Sequence, residues 1–141
     1  MSTDLTGKAV VAVIERDETR IWGTDATHGT MPQEIFLPED RGRHHHVRQA
    51  QHHGGHDTDQ YAAQYYEAIA NALRDVGEVL LLGHGKGKAN SMLMLIQYLE
   101  RHRAEVAHKI VGAVDVNMDA LTEPQLLEIA RDWYAEPVHA K

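Results

Sequence analysis

Apolar positions follow three rhythms along the chain, and each rhythm predicts a different kind of element. Ala9–Ile14 is an unbroken β-branched apolar run, the pattern of a strand buried on both faces. After the polar turn Arg16-Asp17-Glu18, the segment Thr19–Thr24 alternates apolar and polar, as expected of a strand pairing back antiparallel. A Gly29/Pro32 break leads to a third strand, Gln33–Leu37, stopped by Pro38. Residues 38–58 carry neither period and are expected to form one long loop. From Asp59 the period becomes helical: Ala62, Tyr65, Tyr66, Ile69, Ala70 and Leu73 lie on one stripe. Thr58 or Asp59 is the expected cap, and Gly77 the expected close.

Val79–Leu82 is a fourth strand. A second helix is expected from near Ala89, capped by Asn90 or Ser91 and carrying Met92, Leu95, Ile96, Leu99 and Val106. Met92 and Met94 are read as core filler, and Glu100, Arg101, Arg103 and Glu105 as a solvated face. Ile110–Asp115 is a fifth strand. Thr122-Glu123-Pro124-Gln125 is a capping box that opens a helix carrying Leu126, Leu127, Ile129, Ala130, Trp133 and Tyr134. Pro137–Lys141 is expected to fray.

The order is therefore βββ–loop–α–β–α–β–α. Right-handed crossovers make strands one, four and five parallel and put the meander on the other side. The expectation is one α/β domain, residues 1–141, with a mixed five-stranded sheet in order 3-2-1-4-5 and helices on both faces. This is the ribonuclease-H-like architecture. Its third strand would be an edge open to pairing, so a homo-oligomer is admitted.

Composition narrows the classes. A chain of 141 residues that is 43% hydrophobic and 25% charged can bury a core without staples, and the lack of cysteine removes disulfide and thiol chemistry. Met1–Asp4 has no basic leader pattern, and no apolar run approaches the ~20 residues that span a bilayer. A cytoplasmic protein without membrane contact is expected. The net charge of -7 argues against a general nucleic-acid coat. Six of the eleven histidines and three arginines nevertheless lie between Arg41 and His56, with no acid among them.

Two stretches carry candidate chemistry. In Leu82-Gly83-His84-Gly85-Lys86-Gly87-Lys88 the glycines sit two apart, unlike a P-loop, so the expectation is a βα turn with an anion site at Lys86 and Lys88. In the long loop, Arg41, Arg43 and Arg48 suit phosphates. His44, His46, His53 and His56 could hold a divalent ion such as zinc or nickel, although the leading expectation is a polar loop that takes metals adventitiously, with no resident cofactor. Tyr61 and Tyr66 could border the loop and stack on bases, while Tyr65 lies on the core stripe. No Gly-x-Ser-x-Gly is present, and strand one lacks the internal acid that a ribonuclease-H centre would need, with only Glu15 and Asp115 at strand ends.

Several segments together resemble the middle domain of the eukaryotic and archaeal peptide-chain release factor family. Among its relatives are bacterial single-domain members labelled translational machinery or host-attachment proteins. The segments are Val11–Ile14 with the returning Ile21-Trp22, and His52-His53-Gly54-Gly55-His56-Asp57-Thr58-Asp59-Gln60-Tyr61. Leu80–Lys88 and Ile110–Asp115 complete the set, so the resemblance extends over roughly Ala9 to Tyr134. It implies a loop, placed before the first helix, whose Gly-Gly-Gln positions water on the peptidyl-tRNA ester. Here Gly54-Gly55 is followed by His56, which can donate, accept or act as a base but differs in shape from glutamine.

The leading expectation is a stand-alone release-factor-like module, an interaction protein rather than an enzyme. It would bind tRNA, rRNA or the ribosome through Arg41–Asp57 and Lys86/Lys88, without stop-codon reading or peptidyl-tRNA hydrolysis. The alternatives are a peptidyl-tRNA ester hydrolase built on Gly54, Gly55 and His56, and a metal-binding protein using the loop histidines.

Overall fold

A computed structural model describes residues 5–26, 30–37, 55–84 and 91–136, with the side chains of 55–61 left aside. The strands are β1 (Ala9–Ile14), β2 (Glu18–Gly23), β3 (Gln33–Phe36), β4 (Glu78–Gly83) and β5 (Ile110–Asp115). The helices are α1 (Gly55–Leu73), α2 (Ser91–His102), α3 (Ala104–Ala107) and α4 (Glu123–Ala135), with a 3-10 turn at Met118–Ala120. The five strands form one sheet in the order β3-β2-β1-β4-β5. β1 pairs antiparallel with β2 and parallel with β4, β2 pairs antiparallel with β3, and β4 pairs parallel with β5.

Alternation along the central strands divides the core into two layers. Val10, Ala12 and Ile14 of β1, with Val79 and Leu81 of β4, meet Tyr65, Ile69 and Leu73 of α1 and Leu95 and Leu99 of α2. Val11, Val13, Leu80 and Leu82 point the other way, against Leu126, Leu127 and Ala130 of α4 and against Trp22. β1, and β4 from Val79 onward, carry no polar side chain because both of their faces are covered. Each fully buried aliphatic side chain there contributes about 1.5–3 kcal/mol.

α4 begins as its capping box predicts: Thr122 Oγ1 accepts from the Gln125 amide at 3.3 Å, and Gln125 Oε1 accepts from the Thr122 amide at 2.9 Å. The same helix is tied to the core by Tyr134, whose hydroxyl donates to the Val10 carbonyl at 3.0 Å. Arg131 ties it to the end of β2 by donating to the carbonyls of Thr24 and Ala26.

Four local expectations are corrected. α1 starts at Gly55, so Thr58 and Asp59 lie inside it rather than capping it, and the stretch expected as loop to residue 58 is helical in its last four residues. Gly77 does not end α1 in a left-handed turn. It lies where a Cβ would sit 2.7 Å from the Gly7 carbonyl oxygen, and its amide donates to the Lys8 carbonyl at 2.8 Å. The second helix stops at His102, and Val106 belongs to the separate helix α3, because Arg103 takes φ −140° and ψ 63°. Met94 is 47% exposed, so of the two methionines only Met92 fills the core.

Candidate functional site

Parallel pairing sets Ile14, Gly83 and Asp115 side by side, so the carboxyl ends of β1, β4 and β5 lie at one edge of the sheet. In open α/β sheets this is the edge at which ligands bind. The close packing there needs a glycine. A Cβ on Gly83 would lie 2.7 Å from the Ile14 carbonyl oxygen and 3.1 Å from Met92 Cγ. The chain leaves this edge at His84, which is exposed, and returns at Ser91 as α2.

α1 runs toward the same edge. Near its end, Gly7 N donates to the Asp75 carbonyl and Lys109 Nζ to the Val76 carbonyl, which holds that end at the amino side of β1 and β4. Tyr65 marks the carboxyl side. Its hydroxyl donates to the Glu15 carbonyl at 2.9 Å and lies 2.8 Å from Thr19 Oγ1. The phenol has one proton, and the Glu15 carbonyl takes it, so the fully buried Thr19 hydroxyl donates to Tyr65. Burial pushes the Tyr65 phenol above its ordinary value, the Thr19 bond opposing that shift in part. The ten residues from Gly55 to Tyr65 make about 15 Å of helix at ~1.5 Å per residue. The first turns of α1 therefore project past the level of Glu15, with Gly55 and His56 at the tip.

A second clasp holds α1 to α2. Arg103 Nη1 donates to Glu67 Oε1 at 2.8 Å and to Asn71 Oδ1 at 3.1 Å, while its Nε donates to Glu105 at 2.8 Å. Tyr98 OH donates to the other Glu67 oxygen at 2.8 Å, and the Tyr66 and Tyr98 rings lie 5.5 Å apart. Arg103 is thus not part of a solvated face. Tyr66 is half-buried in this contact, and Tyr65 is core as expected.

Of the residues singled out from the sequence, Gly55 and His56 are placed by backbone alone, in the first turn of α1. Arg41, Arg43, Arg48, His44, His46, His53, Gly54, Lys86 and Lys88 lie outside the described residues, as do residues 137–141, expected to fray, and Asn90, an expected cap. Among the described residues no group of three His, Asp or Glu side chains is arranged to hold a metal ion. Glu15 is instead paired with Arg20 at 2.8 Å, and Arg20 also meets Glu123 at 2.8 Å. No helix among the described residues is long and apolar enough to cross a membrane.

The Tyr65–Thr19–Glu15 anchor and the Arg103 clasp are absent from the sequence reading. Thr19 at an inward position of an alternating strand, opposite a helix bearing a stripe tyrosine, is the one signal that could have raised the first. Nothing in the residue pattern pairs Arg103 with Glu67, 36 positions away.

No family model and no curated protein matches this chain. Among solved structures it is similar to Pelota from Archaeoglobus fulgidus, with a TM-score of 0.52 and 14% identity, over 90% of this chain. The two share a fold. The matched region is 31% of Pelota, whose crystal structure is described as revealing inter-domain structural plasticity. This chain therefore corresponds to about a third of the length of that protein.

Proposed function

We propose that this chain is a release-factor-like module that binds RNA or the ribosome through the segment Arg41–Asp57 and the Lys86/Lys88 turn. The observation that carries the reading is the likeness, over 90% of the chain, to Pelota, an archaeal release-factor-like protein. Two features of the geometry support it. Gly55 and His56 open a helix whose first turns project beyond the sheet, and the chain leaves the same edge at His84, ahead of Lys86 and Lys88 in sequence. Three arginines and two lysines entering from these two segments would meet phosphates, and the anchor at Tyr65 would hold the helix rigid behind them. His56 stands where the resemblance implies glutamine, so the reading assigns binding and not ester hydrolysis.

Sucrose-gradient co-sedimentation in a native lysate, at low and at moderate salt, tests this. The expected result is co-migration with ribosomes or a subunit, weakened by salt and abolished in the Arg41→Ala, Arg43→Ala, Arg48→Ala triple variant. Migration at the top of the gradient in both salts would refute it. Release of peptide from peptidyl-tRNA that is lost on His56→Ala would replace it with the hydrolase reading.

A further inference from the structure

The sheet ends in β3 on one side and β5 on the other, and the two edges are built differently. β3 has four residues, three of them exposed and one of those Glu34, with Pro32 just before and Pro38 shortly after. Shortness, charge and proline are the devices that keep an edge from pairing. β5 has six residues, and from Ile110 to Val114 it carries no charge and no proline. Among the described residues no strand pairs with its outer side. A bulge at its start leaves Gly112–Asp115 as the regular stretch.

Both faces beside this edge are apolar. On one, Trp133 covers Gly112 so closely that a Cβ there would lie 2.5 Å from its ring, and Val114 is half-buried. On the other, Ala113 is exposed. Tyr98 and His102 stack on the side of α2 toward α1. At ~100° per residue the opposite flank of α2 carries Leu93, which is 48% exposed. That flank overlooks β5, because α2 lies over β4 with α1 on its other side.

The ends of β5 carry opposite charges. His108 and Lys109 precede it, and Asp115 ends it, with Asp119 beyond. A strand that complements this edge is apolar in the middle and, laid antiparallel, brings an acidic end to Lys109 and a basic end to Asp115. β5 is itself such a strand. We infer that two copies of this chain join by antiparallel pairing of their β5 edges, making one continuous sheet through the pair. With Ala113 on the two-fold axis, Asp115 lies across from Val111 of the second copy, two residues along from its Lys109, and the flanks of both α2 helices close over the seam. A parallel alignment of the two strands would set like charges together. This inference is independent of the release-factor reading.

The chain has no cysteine, so a single introduced thiol reports the geometry. In an antiparallel pair, residues on the axis have Cα atoms about 4.5–5.5 Å apart, within disulfide reach. Ala113→Cys is expected to form a disulfide-linked dimer on mild oxidation of the native protein and not in denaturant. Glu34→Cys on β3 should form no disulfide-linked dimer under the same oxidation. By sedimentation equilibrium the parent chain should show a concentration-dependent dimer. Ala113→Lys, which opposes like charges on the axis, should weaken the dimer roughly tenfold or more while leaving the circular dichroism spectrum unchanged. A parent chain that is monomeric at every concentration would overturn the inference. So would cross-linking through Glu34→Cys and not Ala113→Cys, or protection from exchange, in a monomer, of the outward β5 amides that do not bond to β4.

Discussion

Replacing Tyr65 with phenylalanine removes a single oxygen and leaves the packing of the ring in place. It strands two groups. The Glu15 carbonyl loses a donor at 2.9 Å, and the Thr19 hydroxyl, wholly inaccessible to solvent, loses the acceptor 2.8 Å away. An ordinary hydrogen bond contributes about 1 kcal/mol net, and a buried polar group left unpaired costs about 1–3 kcal/mol. The expected loss is therefore about 2–3 kcal/mol, a large part of the ~5–15 kcal/mol that holds such a domain folded. At roughly 3–5 °C per kcal/mol for a chain of this size, Tm should fall by roughly 6–15 °C. Urea unfolding of Tyr65→Phe, of Thr19→Val and of the double variant measures both the loss and its origin. If the two hydroxyls act as a pair, the double variant loses less than the sum of the singles by about 1 kcal/mol, because removing both leaves no orphaned hydroxyl. Native-state hydrogen exchange should also quicken in α1 ahead of Tyr65. A single variant within about 0.5 kcal/mol of the parent, or strict additivity of the two changes, would refute the reasoning.

Gly112→Ala should destabilise by about 1–3 kcal/mol, since its new methyl would press on the Trp133 ring. Displacement of that half-buried ring should change the tryptophan emission, and an unchanged spectrum with unchanged stability would contradict the contact. Alkaline pH supplies another test. Burial raises the phenols of Tyr65, Tyr66, Tyr98 and Tyr134 above the unperturbed value of 10.0, and the bond from Tyr98 to Glu67 adds to the shift there. The folded chain then keeps protons that the unfolded chain gives up, so stability is intact below pH 10 and falls as pH rises beyond it. Tyrosinate absorbance and circular dichroism should change together in one transition above that pH. Smooth ionisation with the fold intact would exclude the buried phenols.

The strand order, both sheet layers and the capping box of α4 were legible because each rests on local periodicity or on a four-residue motif. The start of α1 was not. Over the sheet, its stripe from Ala62 to Leu73 answers to the core, but the turns before it project beyond the sheet. They leave no apolar period to read. The break at Arg103 was hidden for a different reason: neither Gly nor Pro marks it, and the side chains that hold it come from α1. Gly77 misled because a glycine after a helix has two uses, a left-handed turn or a close approach, and only the fold shows that Gly7 lies against it. Of the candidate site, Gly55 and His56 were expected in the loop ahead of the helix, and their place in its first turn was not legible. The anchor behind them depends on a contact spanning 46 positions.

The placement of β1 in the middle of the sheet also sets an order of assembly. Its antiparallel neighbour β2 follows after a three-residue turn, so the meander can close as soon as those residues leave the ribosome. Its parallel neighbour β4 begins at Glu78, facing Ala9. Until that segment has been synthesised, the six adjoining apolar residues of β1 have no partner on one edge, and the face that α4 covers stays open for longer still. Local hairpins form within microseconds, whereas translation adds only about 5–20 residues per second. The nascent meander must then survive for seconds with its most hydrophobic strand uncovered. That interval is when this chain is most exposed to aggregation and most in need of a chaperone.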